Sequence, residues 1–127
     1  MDDRPVAILV TGSRDWNNEQ AIRDVLEQFK GRNVLVIHGA ALGADDIAAH
    51  EASRLGYWTN PHPADWRKHG RKAGPMRNTA MVARLVELAT RGDECHVFAF
   101  PLPDSRGTWD CVNKAKAAGF RVEVIRG

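Results

Sequence analysis

Four short segments carry the groups that can hold an anion: Val10-Thr11-Gly12-Ser13-Arg14, Ile37-His38-Gly39, Ala73-Gly74-Pro75 and Ser105-Arg106-Gly107-Thr108. Each reads as an apolar, strand-like run that closes in a small or glycine-bearing turn and opens a helix. In a parallel α/β sheet such turns gather at the carboxyl edge of the strands. Free helix N–H groups and the positive helix end attract anions there, and glycine lets the backbone come close. A phosphate-bearing ligand is the chemistry they predict. Their repetition is the informative part, because a single such turn is common in any α/β protein.

Taken singly, each turn has a functional and a plain reading. Thr11, Gly12, Ser13 and Arg14 offer a flexible turn, two hydroxyls and a guanidinium suited to phosphate; in the plain reading Gly12 only makes the turn and Arg14 is solvated. The segment is neither Gly-x-Gly-x-x-Gly nor a P-loop, which disfavours an NAD or Walker site. Gly39 opens a second glycine-rich turn that ends with Asp45 in a first helical turn. A carboxylate there suits the helix dipole in any protein, so capping ranks first and a contact to a ribose or base edge second. Arg77 and Asn78 fall in the first turn of a helix, where the dipole disfavours a cation, and that placement suggests a purpose. Arg77 can clamp a phosphate or carboxylate bidentately while Asn78 holds a hydroxyl; the rival is an ion pair with Asp45, Asp65 or Asp110. Gly107 is read as a close-approach glycine, Thr108 as a cap and Asp110 as a first-turn carboxylate, against an ordinary N-cap. Cys111, near the same helix start, is read first as a buried apolar filler and second as an activated thiol. Asp65-Trp66, with His62 and His69 nearby, makes either a lid whose indole stacks on a base or a loop anchored on the core. The histidines form no His-x-x-x-His pair and no cluster with cysteine, so neither a metal nor another cofactor is expected.

The elements that must position these groups alternate strand and helix. Val6 to Val10 is a continuous apolar run, as a strand buried on both faces should be. Asn17 or Asn18 caps a helix with Ala21, Ile22, Val25, Leu26 and Phe29 at three- and four-residue spacing, which ends at Gly31. Val34 to Ile37 is the second strand, and a helix from about Ala44 to Arg54 stops at Gly56. Tyr57 to Asn60 is a weaker strand, and 61–74 reads as a long irregular loop. Gly74-Pro75 starts a helix that runs to about Thr90, with proline in the first turn where its missing N–H costs nothing. Cys95 to Phe100, a helix from about Thr108 to Ala118, and Phe120 to Ile125 complete the chain. The expected fold is a three-layer Rossmann-like α/β sandwich on a five-stranded parallel sheet, order 3-2-1-4-5. Its switch point lies between the first and fourth strands, so Gly12-Ser13-Arg14 should face Gly107-Thr108 across a crevice.

Composition bounds the rest. The 127 residues, 43% of them hydrophobic, fit one domain over 1–127. A net charge of +2, with 18 Lys+Arg dispersed against 16 Asp+Glu, argues against a basic arm for nucleic acid or membrane. Two cysteines are too few for a disulfide scaffold. No stretch approaches a membrane span, and Met1-Asp2-Asp3-Arg4 lacks the apolar run of a signal peptide, so a cytoplasmic protein is expected.

Together, segments 10–16, 38–45, Asp65-Trp66, 73–78 and 107–110 resemble the YspA-like branch of the SLOG superfamily, over nearly the whole chain. That resemblance implies a Rossmann-like nucleotide-binding domain related to the LOG-type phosphoribohydrolases and to the DprA DNA-processing proteins. LOG-type enzymes hold phosphate on a Gly-Gly-x-Gly-Thr-x-x-Glu turn and use a helix-borne arginine with that glutamate. By position Arg77 matches the arginine and Gly107-Thr108 the Gly-Thr pair. Asp104-Ser105-Arg106 replaces the double-glycine portion, and Cys111 stands at the glutamate. Glycosidic cleavage needs a carboxylate that cysteine does not supply. Asp110, one residue earlier, points about 100° away unless the helix is rotated or begun differently. The first expectation is therefore binding, to sense or sequester a nucleotide-derived small molecule. A LOG-like N-glycosidase using Arg77 with Asp110 or Asp45 is the alternative, and a DprA-like nucleic-acid binder comes third. The resemblance also implies a homo-oligomer.

Overall fold

Seven consecutive residues, Val6–Gly12, form the central strand β1 of a computed structural model that describes residues 3–126. Met1 and Asp2, part of the amino-terminal stretch read above, and Gly127 lie outside the described residues. The first five residues of β1, Val6 to Val10, are apolar because both faces of the strand are covered. Val6, Ile8 and Val10 enter one core, and Ala7 and Leu9 enter the other.

The helices Glu19–Glu27 (α1) and Ala44–Arg54 (α2) cover the first face, placing Ile22, Val25 and Leu26 of α1 and Ala44, Ala48 and Ala52 of α2 against the sheet. Asn18 caps α1 through its side-chain oxygen, which accepts from the Ala21 amide at 3.2 Å. This helix ends earlier than its apolar spacing predicts. Phe29 and Lys30 continue in turns bonded to Leu26 and Glu27 before Gly31.

Helices Ala73–Thr90 (α4) and Arg106–Ala117 (α5) cover the second face. Met81, Val82, Leu85 and Leu88 of α4 pack there with Cys111 and Ala115 of α5. Each fully buried aliphatic side chain contributes about 1.5–3 kcal/mol of transfer free energy, so the two cores hold the three layers together.

The strands Val34–His38 (β2), Trp58–Pro61 (β3), Glu94–Phe100 (β4) and Val122–Val124 (β5) join β1 in one five-stranded sheet of order β3-β2-β1-β4-β5. Every pairing is parallel, and Gly12 stands opposite Phe100 in the register of β1 with β4. The expected architecture and strand order are those observed. The switch point therefore falls between the ends of β1 and β4.

The stretch 61–74 is more ordered than its composition suggests. Asp65 caps a short helix, Trp66–His69 (α3), by accepting from the Lys68 amide at 3.1 Å, and a 3-10 turn, Gly70–Lys72, leads directly into α4. Ala73-Gly74-Pro75 thus continues a helical segment and does not close a strand. The side-chain cap and the packing of Trp66 beside Gly74 override the loop-like run of polar and basic residues.

Candidate functional site

The chain turns sharply at the end of β1, and the backbone of Ser13 holds that turn in place. Its N–H donates to the Phe100 carbonyl at 3.0 Å, and its own carbonyl accepts from the amides of Ala44 at 3.1 Å and Trp16 at 3.2 Å. The Ser13 hydroxyl accepts from the Asp15 amide at 3.1 Å. Gly12 is required by space: a Cβ there would run into Ala44 and come within 2.9 Å of the Phe100 carbonyl oxygen. Gly43 adopts φ +74° with the carbonyls of Ser13 and Arg14 pressed against it, a conformation and a contact that a side chain would spoil. Trp16 anchors the turn from below. It is buried edge-on against Phe100, with ring centroids 5.3 Å apart, and its indole N–H donates to the Asn18 carbonyl at 2.9 Å.

Above this turn lies a cleft of about 530 Å³, bounded by the β1 turn, the first turns of α2, α4 and α5, and Trp66. Gly12, Ser13, Arg14, Asp45, Arg77, Asn78, Gly107, Thr108 and Asp110 all line it. Gly39 does not. Its carbonyl accepts from Arg77 Nη1 at 2.6 Å and its amide donates to Asp45 Oδ2 at 3.0 Å, so it supports the site from behind.

α5 begins at Arg106, two residues before the predicted start, with Ser105 at the N-cap. The Ser105 hydroxyl accepts from the Leu102 amide at 2.8 Å and gives the helix no side-chain cap. Thr108 consequently sits inside the first turn, buried, and is not the cap that was expected. Gly107 borders open space, since an added Cβ would meet no protein atom within 4 Å. The first turn of α5 borders the cleft with no side-chain cap; the Arg106 amide donates to the Asp104 carbonyl at 3.0 Å, which leaves the amides of Gly107 and Thr108 to offer backbone N–H groups.

Two neighbours follow on the same helix, and the first keeps its first-ranked reading as a buried filler. Cys111 turns into the core, fully buried, and burial pushes its thiol up to about 11, which makes it a packing residue. Asp110 reaches the cleft. Its Oδ2 accepts from Asn78 Nδ2 at 3.0 Å and from Lys114 Nζ at 2.9 Å, while Asn78 Nδ2 also donates to the Gly107 carbonyl at 3.1 Å. Asn78 therefore braces α4 against α5.

Arg77 forms none of the ion pairs weighed above. Its Nε donates to Asn78 Oδ1 at 2.9 Å and its Nη1 to Gly39, so backbone and amide oxygens fix its orientation. Asp45 is buried and does not cap its own helix: its Oδ2 is bonded to Gly39. Burial outweighs the nearby charge of Arg77 and the backbone amides and raises its carboxyl from 3.8 to about 6. At the rim, the half-exposed Trp66 ring lies under the Arg14 guanidinium, 5.7 Å from its centroid. Trp66 packs over Gly74 as part of the cleft wall and is not sunk into the core. Thr11 and Arg106, which belong to the first and last of the four turn segments, also line the cleft.

No helix among the described residues is long and apolar enough to cross a membrane. In overall shape the chain is similar to DNA processing protein A (DprA) from Streptococcus pneumoniae, with a TM-score of 0.52 at 15% identity over 94% of this chain and 61% of that one. At that identity the likeness concerns the fold, and this chain spans about three fifths of the length of DprA. In sequence it is 40% identical over 123 residues to the Gene 61 protein of Mycobacterium phage D29, covering 91% of this chain and 92% of the relative. Residues 6–69, which run from β1 through α3, match the model of the YspA, cpYpsA-related SLOG family. With a glycine-built switch-point cleft, a parallel sheet of order 3-2-1-4-5 and a relative aligned along nearly its whole length, the chain belongs to the YspA, cpYpsA-related SLOG family.

Proposed function

We propose that the cleft binds a phosphorylated, nucleotide-derived small molecule, which the protein senses or sequesters. Its phosphate lies on the first turn of α5 and its base lies against the rim formed by Trp66 and Arg14. The observation that carries this reading is the uncapped amino end of α5, where Gly107 leaves open space and Arg106, Arg77 and Arg14 line the same cleft. Free amides, a helix dipole and guanidinium groups all favour an oxyanion. A volume of about 530 Å³ accommodates a nucleotide-sized ligand.

Titration calorimetry with inorganic phosphate, ribose 5-phosphate, nucleoside mono- and diphosphates and ADP-ribose tests it. Binding by at least one phosphorylated nucleoside, weakened in Arg77→Ala, is expected. Failure of the whole panel to bind overturns the reading. Retention of single-stranded DNA instead would support the nucleic-acid alternative, for which Arg67, Lys68, Arg71 and Lys72 on the exposed segment before α4 supply the charge.

Hydrolysis of an N-glycosidic bond is the second reading, favoured by Asp45 and Asp110, two of the four aspartates that line the cleft with Arg77. Chromatography of a nucleoside monophosphate incubated with the protein tests it: free base should appear and should be lost in Asp110→Ala or Asp45→Ala. An unchanged monophosphate leaves binding as the activity.

A further inference from the structure

The phosphate reading leaves one buried group of the cleft unused. Asp45 is 5% exposed, its Oδ2 is held by the Gly39 amide, the Ala41 amide also lies near the carboxylate, and its Oδ1 is buried without a hydrogen-bond partner. Such an oxygen is costly to leave unsatisfied. The nearest cation does not satisfy it, because the hydrogen bonds of Arg77 go to Gly39 and Asn78. Asp45 nevertheless lines the cleft, so the missing donor can be supplied from the ligand side.

The chemistry of that donor is restricted. A phosphate or carboxylate would be repelled by the Asp45 carboxylate, which burial leaves mostly ionised at pH 7 with its acid strength near 6. A neutral hydroxyl or amino group is what an acceptor-only carboxylate can take. The order of the strands narrows the choice further. Trp66 follows β3, Asp45 follows β2, the Gly12-Ser13 turn follows β1 and the open end of α5 follows β4, in a sheet ordered β3-β2-β1-β4. Asp45 thus stands between the aromatic rim and the anion-binding end, and in a nucleotide the group between base and phosphate is the sugar.

Resting on the nucleotide reading above, we propose that Asp45 Oδ1 accepts a hydrogen bond from a ribose hydroxyl, making the cleft selective for ribonucleotides over deoxyribonucleotides. A site built to bond a hydroxyl discriminates strongly against the analogue that lacks it, since the buried acceptor is then left unpaired.

The test is calorimetry on the intact protein with adenosine 5′-monophosphate, its 2′-deoxy and 3′-deoxy forms, inosine 5′-monophosphate and ribose 5-phosphate, repeated with Asp45→Asn. One deoxy form should bind the wild type at least about tenfold more weakly than the ribonucleotide, and Asp45→Asn should remove most of that gap. The wild-type comparison stands even if the variant fails to fold. Equal binding of the ribo and both deoxy forms overturns the assignment of Asp45 while leaving phosphate recognition intact. A preference that follows the adenine amino group, strong for adenosine and lost for inosine irrespective of the sugar, also overturns it. Absence of binding by every probe, ribose 5-phosphate included, defeats the nucleotide reading and this inference with it.

Discussion

Arg77 donates from Nη1 to the carbonyl of Gly39 at 2.6 Å, tying the first turn of α4 to the turn after β2. The same side chain bonds Asn78, which in turn braces α5 through Gly107 and Asp110. One guanidinium beside the cleft is thus fixed by groups on two elements, and it is oriented before any ligand arrives.

Removing it should have two separable effects. Arg77→Ala loses charged hydrogen bonds and should lower stability by about 1–3 kcal/mol. It should also weaken binding of a phosphorylated ligand by at least about tenfold. Arg77→Lys keeps the charge but not the fork, and should recover only part of the affinity. Urea unfolding and calorimetry on the same samples distinguish a loss of affinity from a loss of fold.

Gly107→Ala should separate binding from stability more cleanly. The added methyl meets no protein atom within 4 Å, and alanine in a helix is favoured over glycine by about 0.5–1 kcal/mol. The variant should therefore melt at the same temperature or slightly higher. The methyl projects where an anion must approach the α5 amides, so affinity should fall by about tenfold or more, an order of magnitude set by loss of charge-assisted bonds. Unchanged affinity would place the phosphate elsewhere.

Asp45 should leave a signature in the pH dependence of stability. Its carboxyl is raised from 3.8 to about 6 in the folded protein, so the folded form takes up a proton more readily than the unfolded chain. The stabilisation linked to this is fully present below pH 4 and is lost as pH rises through about 6. Its size is about 3 kcal/mol by proton linkage. Asp45→Asn does not ionise. Relative to wild type it should gain up to that amount between pH 4 and pH 7, as read from denaturant melts at stepped pH. Parallel stability curves would show that the carboxyl is not perturbed.

Cys111 should behave as packing and not as chemistry. With the thiol fully buried and its acid strength pushed to about 11, iodoacetamide at neutral pH should leave it unlabelled in the folded protein and alkylate it only in denaturant. Peptide mass spectrometry reads this directly. Cys111→Ala should cost on the order of 1 kcal/mol from the small cavity and leave ligand affinity unchanged.

Much of this architecture was legible in the chain itself. The apolar runs that become β1, β2 and β4 and the helical spacing of Ile22, Val25 and Leu26 specify buried parallel strands and amphipathic helices through local chemistry alone. Strand alternation and right-handed crossover then constrain the order 3-2-1-4-5, which places the β1 and β4 turns side by side. What the sequence could not supply was where each first turn begins and what its polar groups face. Local preference placed Thr108 at a cap and set Asp110 about 100° away from position 111, but Ser105 starts α5 two residues earlier and Asp110 lines the cleft, while Cys111 packs in the core as its first reading had it. Residues 61–74 read as an open loop, yet the Asp65 cap and the contact of Trp66 with Gly74 fold them into a wall of the site. Asp45 looked like a helix-dipole residue. Only the approach of the turn after β2 shows one of its oxygens held by Gly39 and the other buried without a partner. The sequence by itself determined the layers and the edge on which the turns meet, because periodicity and connection rules act along the chain. Tertiary structure decided which side chains face the cleft and which are already satisfied, because hydrogen-bond partners and burial depend on elements far apart in sequence.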